Sequence, residues 1–165
     1  AGALPGPLYA LAQEALAWNT ITAVFLLSGA DPRGRRARPY LLEQRRIARA
    51  SARALAADLV GGRYEGLEGV NGRLHLWVYT LAGVYQRGLL LRPVAAGERE
   101  EMWRCELGGT ELHCRHCLDY DGAIMSSSEW LLVLDAGFGP QGKNNECGGW
   151  RCDCRLVRWE PAGRD

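Results

Sequence analysis

The feature that most constrains the fold of this chain is the distribution of its six cysteines. Residues 1–104 contain none, whereas residues 105–165 contain all six. Five of them stand in two short segments, HCRHCLDYDG (113–122) and CGGWRCDC (147–154). Because the composition changes where the cysteines begin, the sequence predicts a helical region at 1–104 and a cysteine-rich, metal-stapled region at 105–165.

The first region has the apolar periodicity of helices. Apolar residues from Leu8 to Leu27 suit one broad helix face. A second helix is predicted from about Pro39 to Val60 and ends at the two glycines that follow it. A third is predicted from Leu74 to Leu90 and ends before Pro93. Residues 94–103 are expected to form a short helix or an extended piece.

The cysteine-rich region has mixed, irregular signals. The segment SSSEW fits a capping box, with Ser126 as N-cap and Glu129 reaching back, so a short helix through about Leu134 is expected. The segment CDCRLVRWE predicts a closing strand, and LDYDG (118–122) predicts a turn. The predicted fold class is mainly α with a small, irregular α+β, zinc-knuckle-like C-terminal region.

Cysteine spacing predicts a structural zinc site. Two cysteines three positions apart, Cys114 and Cys117, can aim both thiolates at one ion, and a tetrahedral ion needs two further ligands. Because this region has few large aliphatic residues, a bound metal would replace part of a core. The further candidate ligands are Cys147, Cys152 and Cys154. The favoured set joins the first pair to the last two of these, and the other sets exchange one of those two for Cys147.

Other interpretations of the same residues stay open. His113 and His116 flank the first pair and could replace a cysteine, although exposed loop histidines are the simpler interpretation. Six cysteines also permit three disulfide bridges in a secreted chain, but no signal-peptide pattern is visible. A redox pair is disfavoured because a turn, and not a helix, is predicted after Cys117. Cys105 is interpreted as a small buried hydrophobic residue.

The remaining motifs give no sign of an enzyme or of a small-molecule substrate. Metalloprotease, nucleophile-elbow, phosphate-loop and dinucleotide motifs do not occur, and Asp119 and Asp121 are interpreted as turn residues. Net charge is +1, yet residues 32–53 carry eight arginines, which form either a solvated face or a phosphate contact. The most apolar run, residues 21–30, is too short to cross a bilayer, so no membrane partner is expected.

The C-terminal third resembles the C-terminal segment of phage minor head proteins, in the head-morphogenesis family related to Mu-type minor capsid proteins. The family pattern runs from Thr-Glu or Asp-Glu through Cys-x-x-Cys and a Leu-x-Gly turn to Cys-x-Cys before a short strand. The matching residues are Thr110, Glu111, Cys114, Cys117, Leu118, Gly122, Cys152 and Cys154. In place of the histidine-proline found in many members, this chain has Cys147 and two glycines.

The resemblance implies a virion structural protein that acts in head morphogenesis, located in the virion or in the host cytoplasm during assembly. Its implied partners are the portal or capsid proteins and, through the arginine-rich helix, packaged DNA. Two alternatives follow from the cysteines alone. One is a zinc-ribbon adaptor that binds nucleic acid or protein, and the other is a secreted disulfide-rich domain.

Overall fold

The computed structural model of the 165-residue chain describes residues 6–63, 80–92, 99–109, 113–149 and 152–161. Three longer helices come first: α1 (Gly6–Leu27), α2 (Ala37–Val60) and α3, whose described part is residues 80–90. Strand β1 (Met102–Glu106), helix α4 (Arg115–Tyr120), strand β2 (Ile124–Ser126), helix α5 (Ser127–Asp135) and strand β3 (Arg155–Trp159) follow. The fold is mainly α with one small sheet, as predicted.

The first core lies among the three longer helices. Ile21 and Phe25 of α1 pack with Leu41 of α2 and Val84 of α3, all of them buried. Alanines on both α1 and α2 allow the two helices to approach closely. At Gly88 of α3 a Cβ atom would overlap the Ser28 side chain, which is itself buried at the end of α1. These contacts fix the position of α3 against the helix pair.

The second core lies between the sheet and α5. The strand order is β2-β1-β3 with antiparallel pairing, and Cys105 of the central strand pairs with Leu156 of β3. Trp130 of α5 is fully buried, and its Nε1 donates to the carbonyl oxygen of Trp103 at 2.9 Å. Trp103 Nε1 in turn donates to Ser127 Oγ at 2.9 Å. Each buried tryptophan therefore satisfies its one polar atom, as burial requires.

Helix α3 and strand β1 tie the helical region to the cysteine-rich region. Val84 belongs to the first core, whereas Leu90, six residues later on α3, belongs to the second. Gln86, between them, accepts a hydrogen bond from the Leu156 N–H at 3.1 Å. Strand β1 also runs across the predicted boundary at residues 104 and 105. The two predicted regions therefore share a core and a strand.

Most predicted elements agree with the structure, and two predictions are corrected: the strand expected over residues 152–160 spans only Arg155–Trp159, and LDYDG is only partly a turn. Helices α1, α2 and α5 have nearly the expected bounds. Ser126 and Glu129 form the complete capping box. The turn predicted at LDYDG covers only its last two residues, because Leu118–Tyr120 continue α4. Residues 74–79 and 93–98, where further helix and extended structure were predicted, lie outside the described residues. Within the described ranges, none of the helices has the length and apolar character that a bilayer crossing requires.

Candidate metal centre

Five cysteines meet where the α4 segment, the 137–149 loop and the segment before β3 converge. The ligand atoms that lie within 4.8 Å of one another form groups of three. The first trio is Cys114, Cys117 and Cys147, and the second is Cys117, Cys152 and Cys154. Cys117 is common to both. The structure thus gathers every cysteine that the sequence nominated as a ligand around one buried thiol.

The sulfur separations match metal ligation and not disulfide bonding. The Cys114 and Cys117 sulfurs lie 3.4 Å apart, and those of Cys117 and Cys152 lie 3.7 Å apart. Around an ion with Zn–S bonds of 2.3 Å, tetrahedral geometry requires sulfurs about 3.8 Å apart. A disulfide bond is about 2.05 Å long. All six cysteines of the chain are free thiols. The cysteine cluster can therefore hold a metal ion, and the bridged arrangement of a disulfide-rich domain is not present.

Backbone N–H groups point at the sulfur atoms. Gln141 N donates to Cys152 Sγ at 3.4 Å. The Cys114 sulfur accepts from the N–H groups of Cys117 and Cys147, the Cys147 sulfur from that of Gly149, and the Cys154 sulfur from that of Gly108. Hydrogen bonds of this kind favour the thiolate form and orient metal ligands. The loop backbone therefore forms an outer shell for the site.

The thiols differ in how readily they ionise. Burial opposes ionisation of Cys114, but the backbone and side-chain hydrogen bonds from Cys117 and Cys147 together outweigh it and hold the pKa of this thiol below its usual value. Burial, followed by the crowding of neighbouring thiols, raises the pKa of Cys117. Burial and the charge of Cys152 raise the pKa of Cys154 to about 11, and burial raises that of Cys147. A cation among these sulfurs would favour the thiolate in each of them.

The 137–149 loop is shaped by residues with unusual backbone angles. Gln141 has φ +57°, which is rare for a residue with a side chain. Its side-chain Nε2 donates to the carbonyl oxygens of Cys152 and Cys154 at 3.3 and 3.2 Å. Gly149 has φ +75°, and a Cβ there would lie 2.5 Å from the Gln141 carbonyl oxygen. The buried Asn145 side chain donates to Gly139 O at 2.7 Å. This loop holds Cys147 and the segment before β3 together.

The flanking histidines have separate environments. His113 is half-buried, and its Nδ1 lies 3.9 Å from Cys154 Sγ in a third group that also contains Asp153. His116 accepts a hydrogen bond from the Glu146 N–H at Nδ1, 3.3 Å away, and its ring contacts Phe138 with centroids 5.3 Å apart. His113 is therefore placed to contribute to the metal centre. His116 packs against the loop.

Cys105 stands apart from the metal centre. It is buried in the second core, between the sheet and α5, and burial raises its pKa to about 12. This placement confirms its interpretation as a small buried hydrophobic residue. Asp119 and Asp121 are exposed on and after α4. Thr110 and Glu111, at the start of the family pattern, lie outside the described residues.

Two glutamines that hold the cysteine segment in place were not recognised from the sequence. Gln86 and Gln141 both bind the backbone at residues 152–156. Gln86 lies within a helical pattern and Gln141 in a loop, and neither position carries a motif. The clustering of Gly and Asn around Gln141 signals a tight loop, but it does not reveal the direction of one amide side chain.

Comparisons with protein-family models, with curated proteins and with solved structures give no match.

Proposed function

We propose that the cysteine cluster binds zinc and staples the C-terminal region of a virion structural protein. The observation that carries the metal-binding part is the meeting of five free thiols at spacings suited to tetrahedral ligation. Thiolate ligands favour zinc over harder ions such as magnesium and calcium. Ligation mainly by cysteine is typical of structural zinc sites. The proposed role of the ion is therefore to hold chain segments together, without catalysis.

In this fold, such an ion would hold separate chain segments together. The trio thiols come from the α4 segment, from the 137–149 loop and from the segment before β3, three pieces of chain that are separate in sequence. The buried residues packed around Cys117 are themselves mostly cysteines. Zinc binding in small modules contributes on the order of 10 kcal/mol to folding. In this region the ion would therefore supply much of the folding free energy that an apolar core supplies elsewhere.

Chelation tests the zinc proposal. Elemental analysis of the purified full chain should find zinc, and a strong chelator should open residues 105–165 to trypsin at Arg115 and Arg155, which are exposed. Helical circular dichroism should persist, because α1, α2 and α3 have their own core. Re-addition of Zn²⁺ should restore protection. A proteolysis pattern that chelation leaves unchanged would contradict the stapling role.

The virion role is proposed from the sequence resemblance. The pattern residues Cys114, Cys117, Cys152 and Cys154 are the same residues that line the metal centre. We propose that the chain acts in head morphogenesis with portal or capsid proteins as partners, in particles or in the host cytoplasm during assembly. A portal or terminase gene beside its gene, and its presence in purified particles by mass spectrometry, are the expected results. Recovery only as a free protein, with no such gene nearby, would count against the role.

A second candidate function is nucleic-acid binding through α2. Arg36, Arg38 and Arg53 are exposed and make no ion pair within the described residues, so their charges are available to phosphates. Arg46 and Arg49 are instead paired with Glu43 and Glu14. DNA binding should weaken steeply with salt, and Arg53→Gln should reduce the salt slope by about 1. Arg46→Gln is the matched control with a smaller expected effect. Absence of a salt-dependent gel shift would remove this candidate.

A further inference from the structure

The thiols of the metal centre are arranged as two trios that share one member. Cys114 and Cys147 lie with Cys117 on one side, and Cys152 and Cys154 lie with Cys117 on the other. Each described group of mutually close ligand atoms contains three residues. Cys117, the shared member, is buried on α4, whereas Cys114 and Cys147 are half-buried. Cys117 is therefore the central thiol, with one pair of cysteines on each side of it.

A single zinc ion would require a different arrangement. Four thiolates around one tetrahedral ion have six sulfur–sulfur separations, each about 3.8 Å when the Zn–S bonds are 2.3 Å. Such a set would form one group of four mutually close atoms. Two tetrahedra that share a corner, each with three cysteine ligands, instead give two trios with one common sulfur. The observed grouping is the second pattern.

We propose that this centre binds two divalent ions, with the Cys117 thiolate bridging them; this inference rests on the proposed zinc-binding function. One ion is ligated by Cys114, Cys117 and Cys147, and the other by Cys117, Cys152 and Cys154. Nδ1 of His113 lies 3.9 Å from Cys154 Sγ, but it falls in a separate group with Asp153 and Cys154, so each ion has three cysteine ligands among the described residues. Solvent would complete the tetrahedral coordination of each ion.

Charge balance supports two ions. A single divalent ion that takes four of the five thiolates leaves an excess of two negative charges in a largely buried cluster, and the fifth cysteine has no role. Two divalent ions carry four positive charges against five thiolates, so the excess falls to one. A buried charge that lacks a partner is costly. The bridged pair therefore uses every cysteine of the cluster at a lower electrostatic cost.

Metal stoichiometry of the full chain tests the proposal. The protein is produced with zinc, and the ions per chain are counted by native mass spectrometry and by elemental analysis. Two ions per chain are expected. One ion per chain would overturn the bridged pair and leave the zinc-stapling function standing. A chain that is folded and binds no ion would overturn both proposals.

Two further measurements separate a bridged pair from two independent sites. In the protein loaded with ¹¹³Cd²⁺, two cadmium resonances should appear, each split by coupling through the shared sulfur. Two unsplit resonances would overturn the bridge. Cys147→Ala should reduce the count to one ion, whereas the matched control Cys105→Ala, outside the cluster, should keep two. Retention of both ions by Cys147→Ala would also overturn the proposal.

Discussion

Replacement of Gly149 by alanine should weaken both the fold and the retention of metal. Gly149 has φ +75°, a backbone conformation that costs an alanine about 1 kcal/mol. The added Cβ would lie 2.5 Å from the Gln141 carbonyl oxygen. That is about 0.8 Å short of the roughly 3.3 Å at which a C–H group ordinarily meets a carbonyl oxygen. Since the obstructing atom is backbone, the loop must move, at about 2 kcal/mol for overpacking.

Gly62 provides a matched control. It has φ +66°, and a Cβ there would meet nothing within 4 Å. Gly62→Ala should therefore cost only the backbone penalty of about 1 kcal/mol, against about 3 kcal/mol for Gly149→Ala. In urea denaturation of the zinc-loaded chain, a slope of about 2 kcal/mol per M converts these losses into midpoint shifts of about 0.5 M and 1.5 M.

Metal retention gives a second readout of the Gly149 change. Gln141 is the residue that would be displaced, and its N–H donates to Cys152 Sγ while its side chain donates to the carbonyls of Cys152 and Cys154. Gly149→Ala should therefore release zinc to a competing chelator faster than the unaltered chain does, and Gly62→Ala should not. Equal midpoint shifts and equal release rates for the two variants would refute the role given to the loop.

Three further outcomes are expected. Gln86→Leu leaves the buried Leu156 N–H without its acceptor, which should cost about 2 kcal/mol of stability. The Leu156 amide should therefore exchange with solvent about 30-fold faster. As the control, Gln44→Leu at a half-buried position should leave that exchange rate unaltered. Ser126→Ala removes the N-cap of α5 and should cost about 1 kcal/mol in urea denaturation, and an unchanged midpoint would contradict the capping contribution. Hydrogen bonds from Ser126 hold the pKa of Glu129 below its usual value. The contribution of the Glu129 carboxylate to folding stability is therefore present above its unfolded pKa and is lost as the pH falls through its folded pKa. Glu129→Gln should therefore be destabilising at pH 7 and neutral once the pH lies below the folded pKa, and a pH-independent difference would exclude this explanation.

Local signals explain why the helices could be predicted. The stripe of α2, with Leu41, Ala48 and Leu55 buried on one face and arginines outside, is a direct consequence of helical periodicity. The capping box at Ser126 and Glu129 depends only on residues three positions apart. Both features are complete within a few turns of chain. The sequence therefore specifies them without knowledge of the rest of the fold.

The metal centre depends on contacts between distant segments, and this limits what the sequence can specify. The spacing of Cys114 and Cys117 predicts a pair of ligands, but the division of five thiols into two trios depends on how α4 meets the 137–149 loop. The turn predicted at LDYDG was wrong for Leu118–Tyr120, which continue α4. The Asp and Gly that follow them are typical turn residues, and they led to a turn prediction for the whole segment. The contact of His113 with Cys154 is also fixed by tertiary structure.

The course of β1 has a consequence for any attempt to isolate the cysteine-rich region. This strand is the middle one of three, and its first three residues, Met102–Arg104, pair with both neighbouring strands. A recombinant fragment that starts at residue 105 would lose three of the five residues of this strand, together with Leu90 of the second core. A fragment that begins at residue 80 would keep both. Dissection of this protein should thus follow its hydrogen bonds and not the change in its composition.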